Sequence, residues 1–499
     1  MSKVVIIAID ALDSVLLHKF RNDLPNLNKI MEEGKSIKLK SVFPTDSIPA
    51  WASIYTGMNP ANHGFLVERD YLSKNAHEQA RNLASKIDTT YLRGKTFWDL
   101  AGEYSKKVCV INPFLCYPVW PVNGIMVSGP VFEDGTIQAF PEHISSKYSI
   151  PLMGGIGGFP LLRDLPKFIE NSKALTIDEA NFGLKLLQDF HWDLYYICFL
   201  TLDRIQHFFW RYFDEKDPTY PGDNSYSNVI RYFYRLFDSI VGRFIDLLDQ
   251  SATLIVISDH GHGMRNTKLV SINELLRRRK LLFSKNEGSS LNFGKLLEKI
   301  KTRVVLDFIR KYNLEELAFG LARLIPKAKD MQESSFIIDF EKSIAYVSNL
   351  FGMHPYGGIE INSSLIKENI TYEKIRSSII NAISSLKDQE TGEGIVNWIC
   401  RREELYFGKY IKKYPDVVFE LNDDYGVDRT LYGSIFSTNY THKIVSGGHK
   451  QDAAFFMYNL NRKEVIRKDA TLMDVAPSIL ELLGIENNFD FDGISVFRE

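Results

Sequence analysis

Four short apolar runs constrain this chain more than any other feature: Val4–Ile9, Val108–Ile111, Leu194–Leu202 and Thr253–Ile257. None alternates polar with apolar residues, and continuous runs of this length suit strands buried on both faces of a parallel sheet. Helical patterns lie between and around them, over Thr96–Ser105 and Tyr226–Leu248, and Met473–Leu483 reads as a closing amphipathic helix that stops at Gly484. This alternation predicts an α/β sheet covered by helices. At 499 residues the chain exceeds one small core and divides into two or three units. We expect a core from 1–265 and 440–499, with 266–439 as a cap.

Composition excludes several classes. With 45% hydrophobic and 24% charged residues, the chain is neither disordered, collagenous nor coiled-coil. Sixty basic against 62 acidic side chains leave a net charge of −2, which excludes a dedicated nucleic-acid binder. Cys109, Cys116, Cys198 and Cys400 cannot make a disulfide framework and read as reduced, buried small hydrophobes. No segment approaches the ~20 apolar residues of a membrane span. The N-terminal run, at six apolar residues, is too short for a signal peptide. These features predict a cytoplasmic protein.

One stretch differs from the rest. Residues 271–330 hold 14 Lys or Arg against 7 Asp or Glu, opening with Arg277-Arg278-Arg279-Lys280. Leu296, Ile300, Val304 and Phe308 recur every fourth position, so they share one side of a helix. The stretch is expected to be an inserted helical subdomain, either a solvated face or a surface that attracts anionic substrate or headgroups. Gly154-Gly155-Ile156-Gly157-Gly158 has two readings, a flexible loop and a phosphate cradle.

The acidic residues fall in a pattern. Asp10, Asp203 and Asp259 each follow a predicted central strand, at the carboxyl edge where open α/β sheets bind ligands. Asp203 and His207 are spaced i, i+4, which puts carboxylate and imidazole on one helical face. Asp259 and His260 are adjacent in SDHGHGM, where Gly261 and Gly263 would let the chain turn both inward. Mixed Asp and His donors favour Zn²⁺ or Mn²⁺ over Ca²⁺. Five such ligands fall one short of a two-metal set. His449, expected after a strand at Lys443–Val445 and flanked by glycines, is preferred as the sixth over His442 and His262. For a nucleophile, Ser47 in Pro44-Thr45-Asp46-Ser47-Ile48-Pro49 sits near the N-cap of a helix that runs to Tyr55 and stops at Gly57. The positive end of that helix favours an anion such as a phosphoryl group beside the hydroxyl.

The chain resembles the alkaline phosphatase superfamily, and within it the type I phosphodiesterase/nucleotide pyrophosphatase branch. The matching elements are AIDALD, FPTDSIPAWASIYTGMNPANHG, LDRIQH, SDHGHGM, GGHKQDAAF and DVAPSILELLGI, which span nearly the whole chain outside the helical insert. The resemblance implies an alkaline-phosphatase-like, mostly parallel central sheet flanked by helices, with an inserted helical or cap subdomain. It also implies two divalent metals, usually zinc, with Mn²⁺ open from the donor set. One would be held by Asp10, Asp259, His260 and the Ser47 oxygen, the other by Asp203, His207 and His449. In the family the nucleophile stands nine residues before the Thr of the TG-x-x-P-x-x-HG element, and from Thr56 that position is Ser47, not Thr45. The chain departs from nucleotide-cleaving members in having Glu68 where they carry an asparagine. Arg69 beside it could stabilise a phosphoryl oxygen instead. A sulfatase needs an arginine after x-Pro-x, and Trp51 stands there.

These residues together imply metal-dependent hydrolysis of a small-molecule or lipid-linked phosphoester through a phosphoryl- or nucleotidyl-serine on Ser47. A phosphomutase or phosphotransferase of the same superfamily is the alternative.

Overall fold

A computed structural model describes residues 3–65, 91–130, 135–151, 160–249, 251–285, 338–348, 354–366, 371–459, 467–485 and 489–498. Glu68, Arg69, the glycine run at 154–158 and the part of the basic insert from 286 onward lie outside the described residues.

The predicted runs form the centre of an eight-stranded sheet. Ala252–Ile257, Lys3–Ile9, Leu194–Phe199, Val108–Ile111 and Gly124–Ser128 lie side by side and all parallel. Antiparallel strands complete the edges, Gln138–Phe140 on one side and Phe455–Tyr458 with Lys35–Ser36 on the other. The strand Lys3–Ile9 shows why its sequence does not alternate in polarity. Val5, Ile7 and Ile9 point into one core, Val4, Ile6 and Ala8 into the other, and all six are buried. The first face is covered by helices that include Leu165–Asp189, Thr201–Phe213 and Val229–Leu247, the second by Ser47–Thr56, Phe97–Glu103 and Val475–Leu482. The closing helix is therefore not amphipathic, since Val475 through Leu480 are all buried between sheet and neighbouring helices.

The chain between Ala252–Ile257 and Phe455–Tyr458 builds more β structure than its composition suggested. Ala345–Val347, Tyr356–Ile361, Val417–Leu421 and Val396–Arg401 form an antiparallel sheet backed by the helix Tyr372–Ser384. The basic run is partly spent on structure. Arg277 and Arg278, on the helix Ile272–Arg278, both bond the buried Glu274 at 2.8 Å and hold its carboxyl down to about 2 against the opposing effect of burial. Among the described residues no helix is long and apolar enough to cross a membrane.

Among the described residues, one buried carboxyl forms no ion pair. Glu179, 2% exposed on Leu165–Asp189, accepts from Asn112 Nδ2 at 3.1 Å, and its Oε2 has no hydrogen bond. Burial, reinforced by Asp178, raises its carboxyl well above the ordinary range and so favours its protonated form in the folded chain. A carboxyl raised in this way favours folding at acid pH and costs stability as pH climbs past its unfolded value. Glu179→Gln should therefore stabilise the protein at neutral pH by about 1 kcal/mol or more. The gain should shrink toward zero as pH falls into the carboxylate range, which thermal melts across pH would measure.

Candidate active site

Parallel strands in register bring their carboxyl ends to one edge. Ala8 pairs with both Cys198 and Ile257, so the segments that follow, with Asp10, Asp203 and Asp259, leave the sheet together. Asp203 and His207 lie on one face of Thr201–Phe213, Oδ1 to Nε2 at 3.2 Å. Asp259 Oδ2 and Asp10 Oδ1 stand 3.3 and 3.7 Å from His260 Nε2. Asp46 caps the helix Ser47–Thr56 by accepting from the Ile48 N–H at 3.1 Å. Ser47 is then the first helical residue, with its Oγ 3.2 Å from His260 Nε2. His449 sits on Gly447–Lys450, which pairs antiparallel with Gly261–Met264, and not after a strand at Lys443–Val445. Asn439 accepts from the Thr441 N–H and winds Tyr440–Lys443 into a 3₁₀ turn instead. The glycines here serve close approach more than turning. A Cβ on Gly261 would come 2.3 Å from the Asp452 carbonyl oxygen, and one on Gly447 2.3 Å from that of Gln206.

The three imidazoles are oriented alike. Nδ1 of His207, His449 and His260 lies 2.8, 3.1 and 3.0 Å from the carbonyl oxygens of Gly447, Thr45 and Gly261. A carbonyl only accepts, so each Nδ1 carries a proton and each Nε2 is turned inward. Nε2 of His207 and of His449 stand 3.0 Å apart, and both face Asp203 Oδ1, at 3.2 and 3.4 Å. The carboxylates follow the same plan. Asp10 Oδ2 accepts from Trp51 Nε1 and Asp259 Oδ1 from the Ala11 N–H, both at 3.3 Å. Asp10 Oδ1, Asp203 Oδ1 and Asp259 Oδ2 are buried without a hydrogen bond.

The charge balance of this cluster is abnormal. Burial, then repulsion from Asp259 and Asp203, raises the Asp10 carboxyl, and burial pushes Asp259 up to about 7. Burial also opposes ionising Asp203, yet His207 and His449 outweigh it and hold that carboxyl well below its usual range. Burial works to lower His449, but the negative charge of Asp203 beside it prevails and it is pushed up to about 9. Three carboxylates and several lone pairs thus converge in a buried space with too little positive charge, the condition that bound cations relieve. The ligand atoms of Asp203, His207 and His449 lie within 4.8 Å of one another, as do those of Asp10, Asp203 and His260. Either group could hold a metal ion, and Asp203 belongs to both.

The two histidines set aside in sequence separate here. His442 lies 2.8 Å from Asp217 in a buried pair apart from these groups. His262 is opposite His449 in the two-stranded ladder, with its Nδ1 3.5 Å from Asp203 Oδ1. Its alternation with His260 in SDHGHGM was the available signal, but the partner strand that places it cannot be read from spacing.

A family model described as type I phosphodiesterase/nucleotide pyrophosphatase matches residues 4–339. The chain belongs to that family. It is similar to ectonucleotide pyrophosphatase/phosphodiesterase family member 1 of Rattus norvegicus, 22% identical over 281 residues that cover 54% of this chain and 25% of the relative. The Homo sapiens counterpart is 24% identical over 267 residues, covering 52% and 23%. The chain thus spans about a quarter of the length of these curated relatives. Among solved structures, phosphonoacetate hydrolase from Sinorhizobium meliloti 1021 in complex with phosphonoformate aligns with a TM-score of 0.54 at 16% identity, covering 97% of this chain and 95% of that one. An inactive form of murine ectonucleotide pyrophosphatase/phosphodiesterase 5 in complex with AMP aligns at 0.51 and 12%, covering 99% and 97%. These likenesses establish the alkaline-phosphatase-like fold of this family member.

Residues of the region 266–439 reach the edge of this site. Tyr356 donates its O–H to the Thr45 carbonyl at 2.6 Å, the acceptor that also fixes His449, and Tyr406 donates to the Phe43 carbonyl at 2.8 Å. Both tyrosines are nearly fully buried. Tyr356→Phe and Tyr406→Phe should each cost about 0.5–1.5 kcal/mol in denaturant unfolding. The Tyr356 change should also lower turnover, because it frees the carbonyl that orients His449.

Proposed function

We propose that the protein is a metal-dependent hydrolase of phosphodiester or pyrophosphate bonds that works through a covalent serine intermediate. The observation that carries this reading is the convergence of unbonded carboxyl oxygens and inward-facing Nε2 atoms beside Ser47 Oγ. Asp10, Asp259, His260 and the Ser47 oxygen would hold one divalent ion, and Asp203, His207 and His449 the other. The Asp and His donors suit Zn²⁺, with Mn²⁺ next. Bound there, two such ions would supply the positive charge that acidifies a serine hydroxyl and offsets the phosphoryl oxygens.

The chain's own residues do the rest. The Asp46 cap and the first helical turn hold Ser47 at the site, and His260 orients its Oγ. Ser47 attacks phosphorus and gives up its proton, which departs with the leaving alcohol or phosphate. The Oγ–P bond forms as the bond to the leaving alcohol or phosphate breaks, and water then frees the serine. The positive end of Ser47–Thr56 favours the charge that develops.

We read 1–265 and 440–499 as the catalytic core and 266–439 as a cap over a small-molecule or lipid-linked substrate. Glu68 and Arg69 are our candidates for substrate contact. Four cysteines without a disulfide fit a cytoplasmic setting. The remainder of the basic stretch 271–330 is our candidate for contact with an anionic surface.

Paired p-nitrophenyl mono- and diesters, assayed with Zn²⁺ or Mn²⁺ and after chelation, test the reading. Activity should vanish on chelation and return with metal. Ser47→Ala should lower turnover by about a thousandfold or more, roughly 4 kcal/mol of barrier, while leaving metal content near that of the parent. Thr45→Ala should be mild, within about threefold, because the Thr45 carbonyl survives and its hydroxyl makes only a long 3.4 Å bond to Val42. Near-parental rates for Ser47→Ala would sink the serine route.

A further inference from the structure

We propose that His262 is a positioning residue of this site, donating Nδ1–H to Asp203 Oδ1 and so fixing how that carboxylate is presented. The inference rests on the metal-site reading above. His262 is 3% exposed, and neither of its ring nitrogens has a hydrogen bond, although a neutral imidazole must carry one N–H. A buried N–H without an acceptor costs about 1–3 kcal/mol, so the proton belongs where an acceptor stands. At the Nε2 edge stands Gly447, on which a Cβ would come within 2.5 Å of that nitrogen. Nδ1 faces Asp203 Oδ1 at 3.5 Å, and that oxygen has no hydrogen bond either. One proton on Nδ1 answers both deficits.

The ring is held for this task. Its backbone N–H donates to Asp13 Oδ2 at 3.2 Å. The His207 ring meets it edge-on with centroids 4.6 Å apart, and the Trp210 ring lies at 5.8 Å. His207, His449 and His260 spend Nδ1–H on backbone carbonyls and face the site with Nε2, whereas His262 is reversed and turns Nδ1 to a carboxylate. His262 also stays outside both groups of converging ligand atoms. Its role is assigned toward Asp203, the carboxylate its Nδ1 faces. A carboxylate oxygen has two lone pairs, so accepting from His262 leaves one free. Partners of this kind commonly carry about ten- to a hundredfold of metal affinity.

The test uses the full chain, stripped of metal and titrated with Zn²⁺ and Co²⁺. His262→Phe should weaken one of the two bound ions at least tenfold and alter the Co²⁺ absorption spectrum, with the metal-free melt unchanged. His262→Asn, which keeps an N–H donor near the Nδ1 position, should stay within about threefold of the parent, and His262→Gln, whose donor lies one bond further out, should resemble His262→Phe. Should His262→Phe fail to fold, the Asn and Gln variants decide alone. Equal affinities for those two, or parental binding by His262→Phe, overturn the assignment of His262 and leave the hydrolase reading standing. A parent chain that binds no divalent ion would overturn both.

Discussion

Parallel registration of the strands Lys3–Ile9, Leu194–Phe199 and Ala252–Ile257 makes the site, because it delivers three carboxylates to one buried edge. Left alone, that concentration of negative charge would oppose folding. The surrounding structure is arranged so that this charge is oriented and not dispersed. Trp51 and the Ala11 N–H each take one oxygen of a carboxylate and leave the other facing inward. The backbone carbonyls of Thr45, Gly261 and Gly447 do the same for the imidazoles. Folding stability is thereby given up at the site in exchange for a fixed set of donors, with two apolar cores on either face of the sheet to offset the loss.

Much of this was legible in the residues. Non-alternating apolar runs stand out because both faces of the central strands are covered, and an aspartate following such a run marks the sheet edge that binds. The i, i+4 spacing of Asp203 and His207 is a local property, and so is the cap that presents Ser47. What stayed hidden depends on pairing between distant segments. His449 could be chosen only on the glycines beside it and on the resemblance, since its place comes from a ladder with Gly261–Met264 some 180 positions earlier in the chain. The same ladder brings in His262, which looked like a competitor and is a neighbour. The antiparallel sheet of the region 266–439 was missed for a related reason. Its strands are short, and their apolar residues resemble those of a helix until the partner strand is known.

The charge run at Arg277-Arg278-Arg279-Lys280 shows how composition misleads. Counted in sequence it is a basic patch. In the fold, two of its guanidiniums converge on one buried carboxylate, Glu274, which also accepts from the Tyr432 N–H. The local excess of positive charge that solvent meets is smaller than the count implies.

The Thr45 carbonyl is a shared resource: Tyr356 binds it from the four-stranded antiparallel sheet and His449 from the two-stranded ladder. An evolutionary consequence follows. The region 266–439 cannot be exchanged as a module for that of another enzyme, since the incoming segment would have to bring a phenol to the same oxygen or leave an imidazole of the core misaligned. Recombination is therefore constrained at this junction, and sequence change is easiest in the parts of the region that do not touch Phe43 or Thr45.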